Sequence, residues 1–152
     1  DAKKLEWDGQ FRHFRNLFRR AYVEQQRGRR LMLVMGFNGY PIARLFIQFY
    51  SPSSTIADGK DRGYIYSFTV MEPFRSLGIG TRMLAAAEAI LQKRGFRTAT
   101  ISVAKSNIGA IKLYKREGYS TYGEDDGQWQ YRDHEGKIHH VNEPSYLMKK
   151  TL

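Results

Sequence analysis

Aromatic residues recur at spacings of three and four from Trp7 through Phe11, Phe14 and Phe18 to Tyr22, and this period predicts an amphipathic helix over residues 8–27. Asp8 stands at its N-cap position, Gly28 at its stop, and the aromatic stripe reads as core-facing. The apolar run 31–35, the Asn38-Gly39 dipeptide and the largely apolar run 42–49 then predict an antiparallel hairpin. Residues 51–63, rich in Ser, Pro, Asp and Gly, read as a loop. Tyr64, Tyr66, Phe68 and Val70 alternate with Ile65, Ser67 and Thr69 as a strand does. From 78 to 94 the period is helical again: Ile79, Met83, Ala86 or Ala87 and Ile90 share a face, and Gly95 closes the last, basic turn. Ala99, Ile101 and Val103 form one face of a further strand. Residues 107–117 read as a short helix with Ile108, Ile111 and either Leu113 or Tyr114 turned inward, stopped by Gly118.

Beyond Tyr119 the pattern weakens. Residues 128–132 and 137–141 can pair across His134-Glu135-Gly136, and 145–149 reads as a final strand ending the sheet. A hairpin followed by strand, helix, strand, helix implies an α/β fold: a mixed, mostly antiparallel sheet flanked by helices, with right-handed crossovers.

At 152 residues the chain is expected to form a single domain, 1–152, burying about 68–70% of its unfolded surface without a staple. It contains no cysteine, which removes disulfides, thiolate zinc sites and a cysteine nucleophile together and fits a reducing compartment. No apolar run approaches the roughly 18–20 residues of a membrane span, and no signal pattern opens the chain, so a soluble, cytoplasmic protein without a membrane partner is expected. Residue 1 is Asp rather than Met, which is compatible with a fragment that lacks an N-terminal strand. The net charge of +10 points to a polyanionic partner: nucleic acid, anionic lipid or a phosphate-rich cofactor. The clusters Arg12, Arg15, Arg19, Arg20 and Arg27, Arg29, Arg30 read as a solvated helix face and its basic end in preference to a nucleic-acid stripe.

The chemistry concentrates where the strand ending at Val70 runs through Met71-Glu72-Pro73-Phe74-Arg75-Ser76-Leu77-Gly78-Ile79-Gly80-Thr81 into a helix. N–H groups at a helix start lack intrahelical acceptors and, with the helix dipole behind them, favour an anion; glycines there let a phosphate approach the main chain. A dinucleotide fingerprint needs Gly or Ala where Met83 stands, and a P-loop needs Gly-Lys-Ser/Thr where Gly59-Lys60 is followed by Asp61, so both fail. What remains is R-x-x-G-x-G from Arg75 to Gly80, followed after a helix and a strand by Asn107 and Tyr114. This pattern resembles the GNAT superfamily of N-acetyltransferases, specifically over residues 64–119 and more loosely over 31–50.

The resemblance implies a splayed parallel strand pair forming the cofactor cleft and acetyl-CoA as co-substrate, with no metal. Carried over, it assigns the backbone of Ser76, Leu77, Gly78, Ile79, Gly80 and Thr81 to the pyrophosphate, counts Arg75 among the cofactor-binding residues, and gives the strand edge at Phe68, Thr69 and Val70 to the pantetheine arm, which can add as another strand would. An N–H near Val70 suits the thioester oxygen, which gains negative charge during attack. Asn107 is assigned a hydrogen bond to the cofactor. Tyr114, two turns along the same helix face, is assigned the proton for the departing thiolate. Read locally, the glycines also suit a tight turn, Asn107 an N-cap and Tyr114 a core aromatic.

Two departures follow. Many members of the family have Gly where this chain has Ser76, which is tolerable if Ser76 keeps a negative φ. Relatives that acetylate protein N-termini place a basic Glu five residues before the Asn; here Ser102 stands there and cannot serve at neutral pH. Glu72 becomes the candidate base, directly or through water, although its plain reading is a solvated loop carboxylate. His134, His139 and His140 miss the zinc-protease spacing, and neighbouring strand residues face opposite ways, so a metal site is not expected; with Trp129 and Tyr131 they are candidates for the acceptor end. The resulting expectation is direct attack by a primary amine of a small molecule, peptide or protein on acetyl-CoA. The alternatives are a non-catalytic acetyl-CoA-sensing domain or a basic nucleic-acid-binding module. Monomer and homodimer both stay open, since edge strands can pair between chains.

Overall fold

The computed structural model describes residues 2–152. Its strands are β1 (Arg30–Phe37), β2 (Tyr40–Gln48), β3 (Arg62–Val70), β4 (Thr98–Ala104), β5 (Ser120–Asp125), β6 (Gln128–Arg132), β7 (Ile138–Asn142) and β8 (Ser145–Thr151). The helices are α1 (Arg15–Gln26), α2 (Ile79–Lys93) and α3 (Ile108–Arg116), with 3-10 turns at Ala2–Glu6, Arg12–Phe14 and Glu72–Phe74. Six strands form one sheet in the order β1-β2-β3-β4-β8-β5, and β6 and β7 form a separate hairpin. Asn38 and Gly39, both at positive φ, make the tight turn between β1 and β2.

Among the described residues β3 and β4 are the parallel neighbours of this otherwise antiparallel sheet. Their pairing runs from Arg62↔Thr98 to Ile65↔Ile101 and stops, although β3 continues to Val70 and β4 to Ala104. The C-terminal halves are therefore unpaired on their facing edges. Ile65 and Ile101, at the last pair, belong to a core with Leu45, Ile47, Leu84, Leu91 and Met148 that fastens α2 and the sheet beneath the opening.

The aromatic stripe forms differently from its periodicity. A helix over 8–27 is not what the chain adopts: α1 begins only at Arg15, Trp7 and Asp8 take positive φ, and Asp8 caps nothing. The cause is Arg44 on β2, which is 1% exposed. Trp7, Phe11 and Phe18 wrap its guanidinium at 4.9, 4.5 and 5.0 Å from the ring centres, so the first two rings leave the helix to enclose a cation. Burial pulls the Arg44 pKa down to about 10.

Three smaller corrections follow. Ile108 is 56% exposed rather than inward, because α3 buries Ile111 and Tyr114 instead. The polar strand β5, unread in the sequence, forms the sheet edge. In consequence β8 does not end the sheet but lies inside it, between β4 and β5. No helix among the described residues is long and apolar enough to cross a membrane.

Candidate active site

One cleft of about 840 Å³ opens where β3 departs from β4. Phe68, Thr69 and Val70 of β3 form one wall, Asn107 at the N-cap of α3 and Ala110, Leu113, Tyr114 and Arg116 of that helix the other, and the turn from Arg75 to Thr81 closes an end. Arg75 donates from Nε to the Val70 carbonyl at 2.9 Å and so ties the strand end to the turn. Gly78 at φ 80 is the N-cap residue of α2, and no side chain caps that helix. The first helical N–H to find an acceptor is that of Arg82, which donates to the Gly78 carbonyl at 3.1 Å. The N–H groups of Ser76 through Thr81 find none among the described residues, and they stand at the positive end of a fifteen-residue helix dipole. An anion would satisfy them.

Ser76 is a correction to the sequence reading. Its φ is +61, the left-handed region, where a glycine fits without cost and a serine is strained by about 1–2 kcal/mol. The turn needs a left-handed residue at that step and has kept a side chain there.

A second cleft of about 540 Å³ lies on the α1 side of the sheet. Phe14 of the 3-10 turn before α1, Phe18 of α1, Phe46 of β2, Tyr64, Tyr66 and Ser67 of β3, Ser102 of β4 and Trp129 of β6 line it. The hairpin β6–β7 is clasped to α1: Asn16 donates to the Asp133 carbonyl at 2.9 Å, and Tyr131 packs on Phe14 at 5.0 Å. On its other side Tyr131 stacks on His139, whose Nε2 lies 2.7 Å from Asp133. That contact, with N–H donors from Lys137 and Glu135, pulls the Asp133 carboxyl down to about 2.

The clefts meet along β3, where Ser67 belongs to one and Phe68 to the next. Ser67 has φ +51, and the β2–β3 register shifts between Arg44 and Phe46, so the strand bulges at the junction. Two phenols flank it. Tyr114 is 5% exposed, and burial raises its hydroxyl well above the ordinary phenol range, with Tyr64 adding to the rise. The Tyr64 hydroxyl is pushed up to about 12 by burial and held back by a hydrogen bond with Ser102. Each phenol therefore stays protonated at neutral pH, one in each cleft.

Of the thirteen residues singled out from the sequence, the first cleft brings together Phe68, Thr69, Val70, Arg75, Ser76, Gly78, Ile79, Gly80, Thr81, Asn107 and Tyr114. Leu77, 68% exposed, and Glu72, exposed on a 3-10 turn, line neither cleft. Asn107 is an N-cap: its Oδ1 accepts from the Ala110 N–H at 3.1 Å, which leaves its amide nitrogen for another partner. Tyr64 and its bond to Ser102 were missed; the alternation of the strand put Tyr64 on a face, but nothing local announced the cleft there. Trp129 lines the second cleft, and with the exposed His140 it also lines an open pocket on the β6–β7 hairpin.

A family model described as the Acetyltransferase (GNAT) family matches residues 3–119. The catalytic subunit ard1 of the N-terminal acetyltransferase A complex of Schizosaccharomyces pombe is 31% identical over 96 residues, 62% of this chain and 49% of that protein. The chain thus spans about half the length of that relative. Among solved structures, Ard1 from Thermoplasma volcanium matches with a TM-score of 0.69 at 17% identity, over 91% of this chain and 79% of that one. Arabidopsis thaliana Naa50, in complex with the bisubstrate analogue CoA-Ac-MVNAL, matches with a TM-score of 0.66 at 19% identity, over 88% and 80%. At such identities the likeness speaks for the fold.

Proposed function

The chain belongs to the acetyltransferase (GNAT) family, and from that premise we propose that it is one catalytic domain that transfers acetyl from acetyl-CoA to a primary amine. The observation that carries this reading is the run of acceptorless N–H groups from Ser76 to Thr81, opening on a cleft that ends at Tyr114. The diphosphate of the co-substrate satisfies those donors, and Arg116 at the same cleft adds positive charge. The pantetheine arm adds to the free edge of β3 between Phe68 and Val70, as a strand would. The thioester then lies at the bulge, and the amine enters from the second cleft.

The amine nitrogen attacks the thioester carbon; the new C–N bond forms as the C–S bond breaks, the departing sulfur takes the Tyr114 proton, and the proton lost by the acylated nitrogen returns to the Tyr114 phenolate through solvent. With no cysteine to carry an acetyl group, direct attack is the route the composition favours. Glu72 lines neither cleft, so no base is assigned to it here. The raised pKa of Tyr64 makes that phenol a positioning group for the amine rather than a strong base at neutral pH. Attack therefore depends on the neutral fraction of the amine, and turnover rises with pH toward the amine's own pKa. The relatives that act on protein N-termini favour an amine acceptor, and the cysteine-free composition favours a cytoplasmic setting.

Thiol release from acetyl-CoA in the presence of an amine panel tests the reading, and the cysteine-free chain contributes no thiol background. Amine-dependent release with an acetylated product supports it. Binding of coenzyme A without turnover on any amine would leave a sensor domain instead.

A further inference from the structure

Arg44 carries a charge that no acid of the described residues answers. Its guanidinium is 1% exposed, and neither Nε nor Nη1 has a hydrogen-bond acceptor. No carboxylate among the described residues forms an ion pair with it. With its pKa at about 10 the group is still cationic at neutral pH. The faces of Trp7, Phe11 and Phe18 attract that charge, but a ring face accepts no conventional hydrogen bond. A buried cation with open donors is costly, and what offsets the cost is a partner with negative charge and lone pairs.

A second open donor stands beside the first. Trp7 is 6% exposed, its ring centre lies 4.9 Å from the Arg44 guanidinium carbon, and its indole Nε1 has no acceptor either. The acids of the same segment are taken. Glu6, 5% exposed, accepts from Arg15 with both carboxylate oxygens, at 2.7 and 3.0 Å, and Asp8 is hydrogen-bonded to Tyr40. Arg12 and Lys3 also bear on Glu6 electrostatically. Residues 3–15 thus bring Lys3, Lys4, Arg12 and Arg15 with only two acids over a strand that already buries Arg44.

We propose that Arg44 and Trp7 hold a compact monovalent anion of chloride size between β2 and the N-terminal aromatic segment. The open N–H donors call for lone pairs, and one guanidinium matches one negative charge; a dianion would leave a charge uncompensated in an apolar enclosure. The enclosure also sets the size. Leu5, Phe18 and Phe46, each less than 5% exposed, pack together with Phe11 against it, which suits an ion rather than a ligand with a tail. The ion fastens residues 5–18 to the sheet. Phe18 touches Arg44 and also lines the second cleft, so the same ion supports that wall. The site is independent of acetyl transfer and needs no acetyl-CoA.

Trp129→Phe leaves Trp7 as the single tryptophan, and iodide, a halide that quenches indole fluorescence on contact, then reads the site. The expected result is saturable quenching that chloride competes away, where so buried an indole without an ion beside it is quenched weakly and linearly. Thermal melts of the unaltered chain at constant ionic strength, with gluconate exchanged for chloride, should show a Tm rise of roughly 3–6 °C at about ten times Kd. Arg44→Met should lose that rise, and the difference between the two chains removes the general salt effect. Trp7→Phe keeps a ring and deletes one donor, so the chloride Kd should increase by about tenfold, the scale of a hydrogen bond to a charged group. It decides the matter where Arg44→Met does not fold. Linear quenching indifferent to chloride, equal Tm in chloride and gluconate, or a chloride Kd unmoved by both substitutions overturns the proposal.

Discussion

Replacing Tyr114 by Phe removes one oxygen from the junction and nothing else. The ring stays between Phe68 and Tyr119, whose centroids lie 6.4 and 6.1 Å away, and the hydroxyl forms no hydrogen bond with the described residues. Stability should therefore move by less than about 0.5 kcal/mol, below about 2 °C in Tm for a chain of this size. The rate should move far more. A positioned general acid contributes on the order of 10²–10⁴-fold, or about 3–5 kcal/mol of activation free energy. Because burial holds the Tyr114 pKa above the ordinary phenol range, its proton is present at every working pH. The unaltered chain should then show a pH profile that rises with amine deprotonation and has no falling limb from a phenol. The Tyr114→Phe defect should be largest below about pH 8 and shrink above the pKa of a typical thiol, about 8.5, where the leaving group no longer needs a proton. Stopped-time thiol release across pH, paired with thermal melts, measures both. A kcat within about twofold of the parent at neutral pH, against the 10²-fold minimum expected of a lost acid, refutes the assignment.

Ser76→Gly relieves left-handed strain of about 1–2 kcal/mol but adds unfolded-chain freedom of about 0.4–1 kcal/mol, so a small net rise in Tm is expected by calorimetry. Gly80→Val should weaken coenzyme A binding, since even a Cβ there stands 3.0 Å from Leu113 Cδ2 and pushes α3 from the turn; titration calorimetry reads the rise in Kd. Gly127→Ala meets backbone rather than a movable side chain and should lower Tm in a differential scan by several degrees, on the order of 1–2 kcal/mol for φ alone. The Asp133 carboxyl, depressed from 3.8 to about 2 by His139 and two N–H donors, contributes stability above its unfolded pKa that is lost as pH falls through that window. In Asp133→Asn, acid-unfolding curves should lack that component.

The first cleft was legible because its signals are local. An R-x-x-G-x-G turn between an alternating strand and a helical period needs only neighbouring residues to be read, and the structure gathers all of that motif except Leu77 into one cleft. The second cleft depends on contacts far apart in sequence. Asn16 meets Asp133, Phe14 meets Tyr131, and Gly127 meets Glu143, and no period links them. The N-terminal helix was overextended for a related reason: Trp7 and Phe11 keep helical spacing yet are recruited by Arg44, a tertiary partner more than thirty residues away that local pattern does not reveal. Strand β5 escaped because an edge strand exposed except at its half-buried centre, Ser120 to Asp125, has no apolar alternation to display.

The claim on which the account rests is that the free N–H groups of Ser76 to Thr81 hold a diphosphate. Titration calorimetry of the purified chain with coenzyme A, set beside dephosphorylated pantetheine and an unrelated polyanion at moderate salt, examines it most directly. Saturable one-to-one binding of coenzyme A that weakens sharply without the diphosphate, and weakens in Gly80→Val, is the predicted result. Coenzyme A binding no tighter than pantetheine or the unrelated polyanion would contradict it.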